Sequence, residues 1–318
     1  MASGRLAVVA IGGNALIRDR AHESFADQYD AVCGLAVEIA SMIEAGWAVA
    51  VTHGSGPQVG FALRRSELAM REIPPEPMDY ATAEVQGTMG YMFVRALHNE
   101  FHARRIGREA VALVTQIVVD RADPAFAHPA KPIGSHLDEA GARSLAERYG
   151  WSVREEAGRG WRRVVPSPRP KSIVEADAIR YLVAGGYVVV ACGGGGISVL
   201  EEEGGMLTGI EAVIDKDLAS SRLALDLHAD TLVFATGVEK VALDYLKPTR
   251  RWLARQTLAE AKRWHAEGQF AEGSMGPKIA ALIEFLEGGG RRGVVTDPPN
   301  LARAMRGEAG TSIVAGDG

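Results

Sequence analysis

Short apolar runs alternate with longer amphipathic runs along most of this 318-residue chain. The runs predicted as strands lie at 6–11, 48–52, 110–119, 187–192, 211–214, 231–235 and 293–296. The stretches predicted as helices lie at 25–45, 82–105, 174–184, 215–227, 257–267 and 277–287. Strands that alternate with helices favour a mostly parallel sheet covered on both faces. We therefore predict an α/β fold, a three-layer α/β/α sandwich around an open, mostly parallel sheet.

Composition and charge restrict the class of protein. Apolar residues make up 47% and charged residues 24% of the chain, which is ordinary for a globular protein. A net charge of -5 argues against a general nucleic-acid or polybasic membrane binder. No uninterrupted apolar run approaches the ~18 residues of a membrane span. The two cysteines, Cys33 and Cys192, are far apart, so we expect free thiols and a cytoplasmic protein.

Residues 121–171 differ from the rest of the chain. This stretch contains six of the 14 prolines and one convincing helical segment, at 138–148. It also contains apolar residues that can anchor it, among them Phe126, Trp151 and Trp161. We predict an inserted flap in this stretch, not a linker.

Three glycine-rich loops follow predicted strands. They are Gly12-Gly13-Asn14, Gly54-Ser55-Gly56 and the run 193–196. Ligands of parallel α/β sheets bind beyond the carboxyl ends of the strands, and glycine lets the backbone approach an anion closely. Each loop alone is equally compatible with a tight turn. The chain contains neither GxxxxGK[ST] nor a GxGxxG that opens a helix after the first strand, which disfavours P-loop and dinucleotide-binding proteins.

Lysine is rare in this chain, with 7 of the 35 basic residues, the rest being arginine. Lys216 lies in an Asp-Lys-Asp triplet that opens a predicted helix, and Lys278 follows a glycine-rich loop at the start of another. A lysine is a compact point charge, so its sparing use favours positions where such a charge is needed. Exposed surface lysines are the alternative interpretation of both positions.

The sequence resembles the carbamate kinases of the amino-acid kinase family. The similarity extends from 6 to 297 and includes AIGGNAL (10–16), THGSGPQVG (52–60), KPIG (131–134), CGGGGISV (192–199), GIEAVIDKDLAS (209–220), TGVEKV (236–241) and GSMGPKI (273–279). The flap at 121–171 corresponds to a protruding subdomain that is typical of these kinases. The resemblance implies reversible phosphoryl transfer, ATP + carbamate ⇌ ADP + carbamoyl phosphate, with Mg²⁺, in a homodimer. It also implies one domain over 1–318, with a carbamate-side lobe at 1–205 and a nucleotide-side lobe at 206–318.

Residue roles follow from the matched motifs. The resemblance implies catalytic roles for four residues: Lys131, Lys216, Asp217 and Lys278. It implies a carbamate and phosphoryl site lined by Gly12, Gly13, Asn14, Gly54, Ser55, Gly56, Gly194 and Gly195. It implies a nucleotide site bordered by Thr236, Gly237, Val238, Tyr245 and Met275. No protein side chain is expected to hold a metal, because Mg²⁺ is carried by the nucleotide phosphates. We expect the reaction to make ATP from carbamoyl phosphate in arginine or other nitrogen catabolism.

One departure from the family pattern lies in the expected site. Ser55 stands where these kinases carry asparagine, so a short hydroxyl replaces an amide that both donates and accepts. Two alternatives therefore stay open. The first alternative to a carbamate kinase is another small-acid kinase of the same fold, with room at Ser55 for a bulkier substrate. The second is a nucleotide-binding homologue without catalysis. The presence of Lys131, Lys216, Asp217 and Lys278 argues against the second alternative.

Overall fold

An eight-stranded sheet forms the centre of the fold. The computed structural model describes residues 5–17, 19 and 21–316, with Asn14 described for its backbone only. The strands, in chain order, are β1 (Leu6–Ile11), β2 (Ala48–His53), β3 (Ala110–Ala112), β4 (Gln116–Val119), β5 (Lys131–Leu137), β6 (Ser152–Glu156), β7 (Gly160–Val165), β8 (Pro170–Ile173), β9 (Val188–Val190), β10 (Ile197–Glu201), β11 (Leu207–Gly209), β12 (Thr231–Ala235), β13 (Val241–Leu243), β14 (Arg251–Leu253), β15 (Arg255–Thr257), β16 (Arg292–Thr296) and β17 (Thr311–Val314). The central sheet has the order β15-β17-β16-β12-β1-β2-β9-β3. All its neighbours are parallel except β16 and β17.

Helices cover both faces of this sheet. They are α1 (Phe25–Glu44), α2 (Gly56–Ala69), α3 (Met78–Arg104), α4 (Glu139–Tyr149), α5 (Ala176–Ala184), α6 (Lys216–Asp226), α7 (Leu258–Ala266), α8 (Met275–Glu287) and α9 (Leu301–Met305). Successive side chains of a strand point to opposite faces, and β1 illustrates the result. Val9 packs in one core with residues of α1 and α3, whereas Val8 packs in a second core with residues of α6 and α8. Two cores on either side of one sheet confirm the predicted three-layer α/β/α sandwich.

The flap contains its own small sheet. Strands β5, β7 and β6 pair antiparallel in that order, and α4 contacts β6 and β7. An ion pair joins this sheet to the rest of the molecule, between the buried Arg163 of β7 and the half-exposed Glu211. Glu211 also accepts a 3.2 Å hydrogen bond from the backbone N–H of Met78, at the start of α3. The base of the flap is therefore tied to the body at one carboxylate.

The predicted single strand at 110–119 is wrong. The structure has two short strands there, β3 in the central sheet and β4 in a four-stranded sheet of order β11-β10-β4-β8. Thr115 lies between them, and the side-chain amide of Gln86 bonds both its N–H, at 2.7 Å, and its carbonyl, at 3.2 Å. A side chain from α3 thus takes the place of a strand neighbour, so the ladder is interrupted.

The predicted strand at 211–214 is also wrong. This segment has no strand pairing, and its backbone instead bonds the flap base, with the N–H of Val213 donating to the carbonyl of Pro166 at 3.0 Å. Two real strands, β10 and β11, lie just before it and were not predicted. Strand β17, which lies between the edge strand β15 and β16 and is antiparallel to β16, was missed as well. None of these differences changes the parallel order of the strands at the centre.

Candidate functional site

The glycine loops after β1, β2 and β9 meet at one edge of the sheet. A β-carbon added at Gly54 would lie 2.9 Å from the backbone N of Gly13 and 2.9 Å from Cδ of Lys216. Only glycine permits such close contacts, because a real β-carbon does not approach other atoms to that distance. Gly54 therefore lets the first glycine loop and the lysine at the start of α6 come together.

Two of the glycines predicted to line the substrate site, Gly195 and Gly12, instead make close contacts with the backbone of other segments. A β-carbon at Gly195 would lie 2.2 Å from the carbonyl oxygen of Ile214, so Gly195 serves close backbone packing against the segment before α6. Gly12 is buried, and its N–H donates to the carbonyl of Ala235 at 2.8 Å, which joins the first loop to the end of β12. The predicted side chain of Asn14 lies outside the described residues.

Two lysines share one buried carboxylate. Oδ1 of Asp217 lies 2.5 Å from Nζ of Lys216, and Oδ2 accepts a 3.1 Å hydrogen bond from Nζ of Lys278. Lys278 also donates to the carbonyl of Ser274 at 3.3 Å. Burial lowers the pKa of Lys278, and the neighbouring ammonium of Lys216 lowers it further, against the raising effect of Asp217. The structure thus brings three of the four predicted catalytic residues together.

The fourth predicted residue, Lys131, lies at the start of flap strand β5. Its Nζ is 3.5 Å from Oδ2 of Asp215, the residue before α6. Oδ1 of Asp215 accepts a 2.8 Å hydrogen bond from the N–H of Asp217, so the same carboxylate caps the helix. Burial raises the pKa of Asp215, but Lys131, the N–H of Asp217 and Lys216 together hold it below its ordinary value.

Asp215 was not singled out from the sequence. An aspartate before a helix is an ordinary N-cap, and the signal that was available is its place in the Asp-Lys-Asp triplet. Three ammonium groups, on Lys131, Lys216 and Lys278, face two carboxylates across this region. The excess of positive charge suits an anionic ligand such as a phosphoryl group.

A cavity of about 160 Å³, here called the flap cavity, lies between α2, the start of α3 and the flap. Four predicted site residues line it, Ser55, Gly56, Lys131 and Gly194, and Arg162 adds a further charged residue. Ser55 occupies the N-cap position of α2 but makes no capping hydrogen bond, and its buried Oγ has no partner. A free hydroxyl at a helix N-terminus is available to an anion.

A second cavity, of about 220 Å³ and here called the C-terminal cavity, lies between β12, β13 and the start of α8. All five residues predicted to border a nucleotide line it: Thr236, Gly237, Val238, Tyr245 and Met275. The lining also includes Lys240 and Phe270, which the sequence interpretation did not single out. Tyr245 is about half exposed and meets Trp252 edge to face, with ring centroids 6.1 Å apart. Flat apolar side chains around one cavity suit a flat aromatic ligand.

His53 is excluded as a base. The ring is fully buried, stacks on Phe93 with centroids 5.5 Å apart, and lies against Gly193. Burial lowers the pKa of His53 to about 4, so the imidazole is neutral at pH 7. A neutral ring packed against Gly193 supports the third glycine loop structurally.

Within the described ranges no group of three or more histidine, cysteine, aspartate or glutamate side chains could hold a metal ion. Cys33 and Cys192 are both free thiols. For the part of the chain that the structure covers, no helix is long and apolar enough to cross a bilayer.

Comparison with known proteins gives one consistent family. The model of the amino acid kinase family matches residues 5–297. The chain is 46% identical to the carbamate kinase of Thermococcus kodakarensis, over 96% of this chain and 98% of that protein. It is also 46% identical to the carbamate kinase-like protein YahI of Escherichia coli K12, over 97% of this chain and 98% of that protein. The solved carbamate kinase from Giardia lamblia bound to AMP-PNP superimposes with a TM-score of 0.95, at 39% identity, over 99% of this chain and 100% of that chain.

Proposed function

The chain belongs to the amino acid kinase family, and we propose that it is a carbamate kinase that transfers a phosphoryl group between ATP and carbamate. The observation that carries the proposal is the pair of ammonium groups, on Lys216 and Lys278, held by the two oxygens of Asp217. Phosphoryl transfer needs positioning and neutralisation of charge more than it needs covalent chemistry. Two fixed cations at one edge of the sheet supply both.

The residues suit an acceptor that is already an anion. Carbamate carries its negative charge before reaction, so no side chain has to remove a proton from it. This agrees with a neutral, buried His53 and with the absence of another histidine or glutamate base among the predicted site residues. Lys216 and Lys278 offset the repulsion between the anionic acceptor and the phosphates, an effect that grows where water is excluded.

Each of the two cavities is assigned one of the two substrates. We assign the adenine nucleotide to the C-terminal cavity, with its base near Tyr245 and Met275 and its phosphates directed toward Lys216 and Lys278. We assign carbamate to the inner end of the flap cavity, against Ser55 and Lys131. Under this assignment residues 1–205 form the carbamate-side lobe and 206–318 the nucleotide-side lobe. The relative from Giardia, solved with AMP-PNP, supports a nucleotide substrate.

Mg²⁺ enters this proposal as part of the nucleotide substrate. Magnesium is bound in kinases by one or two carboxylates together with substrate phosphates, without a dedicated protein cage. The metal then arrives with the nucleotide, as MgATP or MgADP. When bound, it neutralises phosphate charge; the residues of this chain orient the phosphates and the acceptor.

The flap at 121–171 is proposed to close over the acceptor. Lys131 is partly exposed and pairs with Asp215 at 3.5 Å, a long contact that an anionic substrate can replace. Closure excludes water from carbamoyl phosphate, which hydrolyses readily, and adds a positive charge only when substrate is present. We further propose a cytoplasmic homodimer that makes ATP in arginine or other nitrogen catabolism; two free cysteines support the compartment.

A kinase for another small acid is the second candidate, because the short side chain of Ser55 leaves its buried hydroxyl without a partner in the flap cavity. The test measures ADP formation from MgATP with carbamate, acetate or N-acetylglutamate as acceptor. A carbamate kinase gives the highest kcat/KM with carbamate. Turnover of one of the other acids with negligible carbamate activity contradicts the proposal, as does failure to turn over any of the three.

A further inference from the structure

The buried side chain of Gln86, on α3, uses both ends of its amide to bond backbone at the third glycine loop. Its Nε2 donates to the carbonyl of Gly193 at 2.9 Å and to the carbonyl of Thr115 at 3.2 Å. Its Oε1 accepts a 2.7 Å hydrogen bond from the N–H of Thr115. A rotated amide would set Oε1 against two carbonyl oxygens, so these bonds fix which end of the amide faces Gly193. Gln86 therefore offers the loop a donor and not an acceptor.

The bond to Gly193 sets the orientation of one peptide group. The described part of the chain contains no cis peptide bond, and in a planar trans peptide the N–H points opposite to the carbonyl. Because the carbonyl of Gly193 faces Gln86, the N–H of Gly194 points away from Gln86. Gly194 lines the flap cavity, and among the described residues its N–H has no hydrogen-bond partner. The loop thus presents a free donor on the side away from Gln86.

The loop residues do not enforce this orientation by themselves. Gly194 has a φ of +70°, and a flip of the preceding peptide would bring this angle to a negative value. Glycine adopts both signs of φ about equally readily, because it has no β-carbon. The carbonyl of Gly193 also accepts a 3.1 Å hydrogen bond from the N–H of Gly196, but that residue is a glycine of the same loop. The anchor from outside the loop is Gln86.

Gly194 lies next to the other free donor of the flap cavity. A β-carbon added at Gly194 would lie 2.5 Å from Oγ of Ser55, whose buried hydroxyl has no partner. Lys131 lines the same cavity and supplies a positive charge. A backbone N–H and a hydroxyl side by side, near an ammonium group, suit the oxygens of an anion.

We infer that Gln86 is a positioning residue for the transfer, which holds the peptide between Gly193 and Gly194 so that the Gly194 N–H donates to an oxygen of the transferred phosphoryl group. The inference rests on the proposed function, since it concerns the same phosphoryl site. Gln86 acts through the loop and does not touch the substrate. A preorganised N–H stabilises negative charge without having to reorient during the reaction. A peptide that is free to flip offers the anion a carbonyl oxygen for part of the time.

Two substitutions remove the donor in different ways. Gln86→Met has a similar length and no polar group, so the Gly193 carbonyl loses its anchor at every pH. Gln86→Glu keeps the shape; its ionised carboxylate cannot donate, whereas its protonated carboxyl can donate to Gly193 again. Burial raises the pKa of a carboxyl group, which brings this change into the pH range of the assay. The control is Gln28→Met on α1, since Gln28 is also buried and bonds Glu23 and Gln58 but no glycine loop.

The experiment measures kcat and both KM values for ATP formation from MgADP and carbamoyl phosphate between pH 6 and 8, less a blank without enzyme. Gln86→Met should lower kcat by about 10- to 100-fold, because the freed peptide keeps the productive orientation for part of the time. The KM for MgADP should stay within about twofold, since Gly194 does not line the C-terminal cavity. Gln28→Met should keep kcat within about twofold, even where urea unfolding shows a similar loss of stability in both methionine variants. As the pH falls, the kcat of Gln86→Glu relative to the wild type should rise above that of Gln86→Met.

Three results would overturn the inference. The first is a kcat of Gln86→Met within about twofold of the wild type, which leaves the amide only its structural role at Thr115. The second is an equal loss of kcat in Gln28→Met, and the third is a Gln86→Glu that matches Gln86→Met at every pH. If Gln86→Met does not fold, the nearly isosteric Gln86→Glu decides alone, and a kcat ratio to the wild type that stays constant from pH 8 to 6 overturns the inference. In each case turnover of carbamoyl phosphate by the wild type keeps the proposed function. Absence of that turnover refutes the proposed function, and the inference with it.

Discussion

Nζ of Lys278 in α8 donates a 3.1 Å hydrogen bond to Oδ2 of Asp217 in α6, and the two residues are 61 positions apart in sequence. The other oxygen of this carboxylate, Oδ1, accepts a hydrogen bond from Nζ of Lys216. Burial and Lys216 both lower the pKa of Lys278, and the carboxylate of Asp217 opposes them more strongly than that of Asp215 does. The site therefore depends on an aspartate that need not touch the substrate.

Asp217→Asn should reduce activity and change its pH dependence. Loss of the carboxylate removes a cause that raises the pKa of Lys278, so this lysine loses its proton at a lower pH. We expect kcat to fall by about 10²–10³, with the alkaline limb of the kcat profile moved to lower pH. The measurement is kcat between pH 6 and 9 for wild type and variant. An alkaline limb at the same pH in both proteins would show that Asp217 does not hold the charge of Lys278.

Lys216→Ala and Lys278→Ala should each lower kcat by about 10²–10³, the usual cost of one preorganised charge. Arginine at either position should restore little of the lost activity, because its planar guanidinium does not reproduce a compact charge. The matched control is Lys262→Ala, whose half-exposed ammonium pairs with Glu287 on the surface. Steady-state kinetics on all of these variants is the measurement. Turnover like the wild type in either site variant refutes the assignment of that lysine.

Lys131→Ala should separate the two substrates. Because Lys131 lies in the flap cavity and not in the C-terminal cavity, we expect a higher KM for carbamoyl phosphate, by about tenfold or more, and unchanged affinity for MgADP. Calorimetry gives the affinity and initial rates give KM. Lys171→Ala, an exposed lysine on β8, is the control. Wild-type values for both quantities in Lys131→Ala would end the closing-flap proposal.

Gly54→Ala should impair catalysis through geometry alone. The added methyl group meets Cδ of Lys216 and the backbone of Gly13 at 2.9 Å, so one of them has to move. Displacement of a site group by about 1 Å typically costs about 10² in rate. Gly34→Ala, on α1 with no atom within 4 Å of the added carbon, is the control and should keep full activity. Full activity in Gly54→Ala as well would show that Lys216 tolerates the shift.

His53 should make stability depend on pH. The unfolded chain binds a proton at this histidine below about pH 6.5, while burial lowers the pKa in the folded protein to about 4. The unfolded state thus binds more protons in that window, and the free energy of unfolding falls as the pH falls from 6.5 to 4, by up to about 3 kcal/mol. Urea unfolding of wild type and His53→Gln over this range measures it. If the free energy of unfolding falls equally in both proteins over this range, groups other than His53 cause the pH dependence.

Much of the fold could be predicted because its signals are local. Leu6–Ile11 is a continuous apolar run, as expected for a strand buried on both faces, and Ser24 with Asp27 forms the capping box that begins α1. The break between β3 and β4 was not predictable in this way. It depends on the amide of Gln86, 29 residues away, which bonds the backbone of Thr115.

The same contrast holds for the candidate site. Lys216, Lys278 and the glycine loops were identified through motifs, and the parallel sheet brings them to one edge. The pairing of Lys131 with Asp215 joins residues 84 positions apart, and no pattern in either segment indicates it. The apolar wall of the flap cavity was also missed, because Val59, Met78 and Ile133 read separately as core residues.

The most direct test of the proposed reaction is ³¹P NMR of the purified protein mixed with carbamoyl phosphate, ADP and Mg²⁺, alongside Lys278→Ala under the same conditions. For the wild type we predict that the carbamoyl phosphate signal is replaced by the γ-phosphate signal of ATP, and that the variant shows this change at least about 10² more slowly. Inorganic phosphate as the sole new signal, or ATP formed equally fast by both proteins, would contradict the account.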